Sequence, residues 1–144
     1  MILSMLRPPK LKKGMTLIEI LIVITIIGIM AGIGIPAMMG YIRKAKFSST
    51  EATLRVAKTE VMRYESDSSN YPNSLENLID RPEDVPSRKW HGPYFENGKL
   101  PKDGWGHELE YQLTKGGKHP FELFSWGPDG VDSSEEQISV WELD

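Results

Sequence analysis

Residues Met15 to Met39 read MTLIEILIVITIIGIMAGIGIPAMM, and this stretch decides the fold. Glu19 is its only ionisable residue, and Thr16 and Thr25 are its only hydroxyls. As a helix these 25 residues extend roughly 37 Å at about 1.5 Å each, enough to cross a hydrocarbon core of about 30 Å. A helix in a soluble core is not apolar on every face for about seven turns, so the segment is predicted to span a membrane. Before it lie Arg7, Lys10, Lys12 and Lys13, with no acid. An ordinary secretory signal fits poorly. Its apolar region is about 7–15 residues long, it carries no carboxylate near its start, and a small-residue cleavage site follows it. Orientation stays open on charge alone, because four basic residues before the span face Arg43, Lys44, Lys46, Arg55 and Lys58 after it.

Beyond the span, composition narrows the chemistry. A chain of 144 residues makes one compact domain, and without cysteine it has neither disulfide nor thiolate metal site. A net charge of −3 gives no reason to expect nucleic-acid binding. His91, His107 and His119 are scattered among loop-like positions, and the metalloprotease, nucleophile-elbow and phosphate-loop motifs are absent. No enzymatic activity is expected.

After Gly40 the chain turns polar without a strong breaker until Ser66–Tyr71, which predicts one continuous helix from about Thr16 to Glu65. Ala45, Ser49, Ala52, Val56 and Ala57, followed by Thr59 and Met62, are taken as the face that packs inward. Ser74–Asp80 reads as a short capped helix with Leu75, Leu78 and Ile79 inward. Leu109–Thr114 and Phe121–Ser125 read as a hairpin turning at Gly116–Gly117, with Pro93–Glu96 as a possible third strand. The fold class is α+β: a long N-terminal helix, membrane-spanning then amphipathic, packed on a small antiparallel sheet with a C-terminal loop region.

Gly14–Met15–Thr16–Leu17–Ile18–Glu19 follows a basic stretch and opens the apolar helix. It resembles the class III signal of type IV pilins and pseudopilins, in which Phe is usual where Met15 stands. The resemblance implies a leader, residues 1–14, that prepilin peptidase removes after Gly14 while methylating the new amino terminus at Met15. It further implies an apolar filament-core helix over 15–39 and a periplasmic globular part over 40–144. A lone charge at membrane depth costs about 2.5–3.5 kcal/mol, so Glu19 marks a function by default. In the family its partner is the α-amino group of a neighbouring subunit, here that of Met15; the bland alternative is a carboxylate snorkelling to the interface. Pro36 removes a ladder hydrogen bond and predicts a kink or local unwinding. The resemblance gives it a role in assembly.

Leu100–Pro101–Lys102–Asp103–Gly104–Trp105–Gly106, then Tyr111, and Ser125–Trp126–Gly127–Pro128–Asp129–Gly130 sharpen the likeness. They resemble segments of the major pseudopilins of the type II secretion system, with Gly104 in place of a usual proline. That family implies a structural subunit of a helical homopolymer, single-pass in the inner membrane before assembly. Its partners there are minor pseudopilins, prepilin peptidase, a platform protein, a cytoplasmic ATPase and an outer-membrane secretin. It also implies calcium in the C-terminal loop, held by the carbonyls of Trp126 and Val131, the carboxylate of Asp129, and the side chains of Glu136 and Gln137. The family usually has two aspartates at the last two places, so lower affinity and a changed geometry are expected here, with Asp132 or Glu135 able to compensate. A solvated acidic turn without metal is the plain alternative. The rival functions are a pilin of a type IV pilus and a membrane-anchored binding domain that never polymerises.

Overall fold

The computed structural model describes residues 14–130 and 136–143. Its dominant element is helix α1, Leu17–Ser68, of 52 residues. The chain divides between Gly40 and Tyr41 into two compact units.

The first unit contains the apolar part of α1. One 18-residue window there reaches a mean hydropathy of 2.6, and none of it is buried within the chain. Length and composition suffice for this helix to cross a membrane. It runs through Pro36 without a break in its helical assignment.

The second unit is built on the polar half of α1. Thr50, Leu54, Ala57, Val61, Tyr64 and Ser68 are buried at alternating four- and three-residue steps, which keeps them on one face. This corrects the inward face read from the sequence. Ala57 is buried, but Ala45, Ser49, Ala52, Val56, Thr59 and Met62 are exposed. Two polar members disguise the true face, and both are satisfied within the helix. The Thr50 hydroxyl donates to the Lys46 carbonyl at 2.9 Å, and the Ser68 hydroxyl to the Tyr64 carbonyl at 2.8 Å. The helix ends where Ser69 adopts φ 67°, a left-handed residue that turns the chain away.

The buried face rests on a three-stranded antiparallel sheet of β1, Glu110–Leu113, β2, Phe121–Ser125, and β3, Ile138–Ser139, in the order β1-β2-β3. Glu110 pairs with Phe124 and Leu113 with Phe121, so the expected hairpin is present. The third strand is not Pro93–Glu96. That segment folds as a bend whose Tyr94 amide donates to the Leu78 carbonyl at 2.7 Å, and the partner of β2 comes from Ile138–Ser139 instead. In the central strand Phe121, Leu123 and Ser125 are buried and alternate with half-buried residues, as a strand with one core face requires. The predicted short helix is a 3₁₀ turn, Leu75–Leu78, with Leu75 and Leu78 in the core and Ile79 half-buried. Its entry is fixed by Asn77, whose side-chain oxygen accepts from the amides of Asn73 and Ser74.

All four tryptophans are half-buried against other rings. Trp105 meets Phe47 edge-on with centroids 4.9 Å apart, Trp90 meets Tyr94, Trp126 meets Phe124, and Trp141 packs on Phe121. Each fastens a loop or strand end that β-pairing leaves free.

Candidate functional site

Two groups of residues carry chemistry, one in each unit. At the helix N-terminus, Gly14 and Met15 are exposed and precede α1. The Glu19 carboxylate accepts from the Thr16 amide at 3.4 Å, while the Thr16 hydroxyl accepts from the Glu19 amide at 3.3 Å. This reciprocal pair is a capping box, and it satisfies two amides that a helix start otherwise leaves orphaned. The sequence reading missed Thr16, although T-x-x-E before an apolar run is the signature for it. Glu19 thus sits in the first turn, five positions past Gly14, where the leader would end. A carboxylate there is also favoured by the positive end of the helix dipole. Pro36 lies inside the same helix, and a Cβ added at Gly28, Gly32, Gly34 or Gly40 would meet nothing within 4 Å beyond the helix's own backbone.

In the second unit, the turn Asp103–His107 is stitched to the loop that follows β2. Asp103 is buried. One of its carboxylate oxygens accepts from the amides of Trp105 at 2.9 Å and His107 at 2.8 Å. The other accepts from the Ser125 hydroxyl at 2.7 Å, which itself accepts from the Gly127 amide at 3.0 Å. His107 Nδ1 lies 3.1 Å from the Gly127 carbonyl, so the tautomer protonated at Nδ1 donates to it. Serine, histidine and aspartate meet here, yet Ser125 is fully buried and donates its hydrogen bond to Asp103 rather than to the imidazole, whose Nδ1 lies 3.1 Å from the Gly127 carbonyl and 3.5 Å from Asp103 Oδ2. The arrangement is a clamp rather than a nucleophile with its base.

The loop beyond the clamp holds the expected calcium ligands. Asp129 and Gln137 are exposed and Trp126 is half-buried, whereas Val131, Asp132 and Glu135 lie outside the described residues. Gly127, at φ 78°, brings its backbone so near Glu136 that an added Cβ would lie 2.6 Å from the Glu136 carbonyl oxygen. The two arms of the loop therefore converge. Carboxylate, amide and carbonyl oxygens are the donors a hard cation takes. The Glu136 carboxylate, however, is ion-paired with the Arg43 guanidinium of α1. Among the described residues no three His, Asp, Glu or Cys side chains gather as a metal cluster.

Comparison with known proteins covers nearly the whole chain. The family described as Type II secretion system (T2SS), protein G matches residues 37–141, and the prokaryotic N-terminal methylation motif matches residues 9–35. The type II secretion system core protein G of Klebsiella pneumoniae is 34% identical over 139 residues, spanning 92% of this chain and 96% of that protein. The Pseudomonas aeruginosa protein of the same name is 33% identical over 138 residues, 91% of this chain and 96% of its own length. Among solved structures, the crystal structure of the major pseudopilin from the type 2 secretion system of enterohaemorrhagic Escherichia coli superposes with a TM-score of 0.60. It shares 26% identity over 72% of this chain and 93% of that one.

Proposed function

The chain belongs to the type II secretion system protein G family, the major pseudopilins, and from that premise we propose that it is cut after Gly14, methylated at Met15 and polymerised. In this reading the subunit waits in the inner membrane with residues from about Tyr41 onward in the periplasm. It then leaves the bilayer into a helical homopolymer whose centre is the packed apolar helices. The filament, capped by minor pseudopilins, moves folded proteins toward an outer-membrane secretin. A cytoplasmic ATPase acting through an inner-membrane platform protein supplies the work, since the sequence has no phosphate-loop motif of its own.

The observation that carries the proposal is the Glu19 carboxylate in the first turn of a helix whose apolar membrane-spanning window is unburied within the chain. Among the described residues the Thr16 amide is the hydrogen-bond partner that answers its charge. Cleavage at Gly14 creates a cation on Met15. Two unit charges at about 4 Å attract by roughly 4 kcal/mol at an effective dielectric near 20, comparable to the cost of burying the acid. A helix in a filament can meet that amine from a neighbour, exchanging lipid contact for helix contact and an unpaired charge for a pair. Calcium enters as a proposed ligand of the C-terminal loop, through Asp129, Gln137 and the carbonyls of Trp126 and Val131. With one free carboxylate in that set, the affinity is weak.

Intact-mass measurement of the chain extracted from membranes tests the reading. The expected species begins at Met15, lacks residues 1–14 and carries one added methyl group. A chain that keeps its leader, or begins elsewhere, overturns it.

A further inference from the structure

Three cations of α1 grip the C-terminal segment. Arg43 pairs with Glu136, the Arg55 guanidinium donates to the Leu143 carbonyl at 2.7 Å, and the Lys58 ammonium stands 4.1 Å from the centroid of the Trp141 ring. At about 100° per residue these three positions fall within an arc of about 120° on one helix side. The segment is also tied to the sheet, since Trp141 Nε1 donates to the Phe121 carbonyl at 2.9 Å. Arg43 is the member nearest the loop, and it does not hang free. Its guanidinium lies 5.7 Å from the centroid of Phe47, and Phe47 abuts Trp105 of the clamped turn. The Arg43 side chain is 62% exposed, yet with a ring on one side and a carboxylate on the other its guanidinium loses less freedom on pairing than an arginine without such neighbours would.

We propose that Arg43 is the cation that closes the C-terminal loop at Glu136, doing in this chain what a bound calcium ion would otherwise do there. A divalent ion seeking Glu136 must first displace a resident guanidinium, and the next residue, Gln137, offers no second charge. Loop closure then depends on α1 and is nearly independent of calcium. The proposal rests on the fold of the second unit and not on polymerisation, so its readout is melting of the subunit and remains interpretable if no filament forms.

Thermal melting of the full chain in detergent, with EDTA or with millimolar calcium chloride, tests this. The wild type is expected to melt at nearly the same temperature in both. Arg43→Gln should melt a few degrees lower in EDTA and recover in calcium, because Glu136 is then free to ligate. Adding Glu136→Gln to Arg43→Gln should abolish that recovery, and Arg43→Lys, which keeps the charge, should stay close to wild type. A wild type that falls by several degrees on chelation overturns the proposal. So does an Arg43→Gln variant whose melting and calcium response match the wild type.

Discussion

Gly104 lies where the turn Asp103–His107 touches α1, and the Lys46 carbonyl already occupies the space a Cβ would need. Its amide donates to the buried Thr50 hydroxyl at 2.9 Å. These two facts explain why glycine suits this place and proline would not: proline has no amide to give Thr50 and carries a Cβ besides. Gly104→Ala should therefore destabilise by about 1–3 kcal/mol through overpacking. Gly104→Pro should cost more, since the Thr50 bond goes as well. Asp103→Ala should be worse still, by about 3 kcal/mol or more, because two amides and the Ser125 hydroxyl lose their acceptor in a buried place. Chemical denaturation of the three variants ranks them, and an unchanged midpoint for Asp103→Ala would remove the clamp from the account. The D-G-W-G-H segment was conspicuous in the sequence. Its partner Ser125 was visible only as part of a second motif, because a hydrogen bond across 22 residues leaves no local pattern.

At the scale of elements, helix α1 and the hairpin β1–β2 were legible, since a long apolar run and alternating short segments each have one strong physical solution. The inward face of α1 was not. Alanine and valine at helical spacing drew attention to Ala52 and Val56, while the buried stripe runs through Thr50 and Ser68, whose hydroxyls bond back to their own helix. Strand β3 has only two residues, too short for any period to show. Leu54→Ala should cost about 2–5 kcal/mol, since Leu54 is 0% exposed, whereas Val56→Ala at 53% exposure should stay within about 0.5 kcal/mol. Equal effects would mean that the helix is rotated from the face described. The tyrosines on this core add a pH dependence. Burial is the main cause that pushes the Tyr94 hydroxyl up from 10.0 to about 12, and its bond to Asp67 pushes the same way. Burial likewise raises Tyr111, whose hydroxyl donates to the Pro72 carbonyl at 2.8 Å. A phenol that ionises more readily unfolded than folded contributes stability below about pH 10, and that contribution is lost as pH rises through about 12. Alkaline titration should thus show tyrosinate absorbance and loss of structure appearing together, and Tyr94→Phe should blunt the transition.

At the scale of the whole molecule the decisive variant is Glu19→Ala. Removing the one charge of the apolar helix lowers its insertion cost by about 2.5–3.5 kcal/mol, so the chain should still enter the membrane. Among the described residues the hydrogen bonds of Glu19 side chain and amide to side chains reach no further than Thr16, so the melting temperature of the second unit should not change. If Glu19 pairs with a neighbour's amine as proposed, that partner disappears, and filaments should be absent from cells overproducing the variant. The variant also loses the capping bond to the Thr16 amide, and a frayed helix start would be a second route to the same failure. Thr16→Val separates the two. It removes the hydroxyl that accepts from the Glu19 amide while keeping the carboxylate, and a lost cap costs only about 1 kcal/mol. Filaments from Thr16→Val together with none from Glu19→Ala would assign the charge to assembly. Filaments from Glu19→Ala would mean that apolar packing alone drives polymerisation, and that the acid serves only to begin the helix.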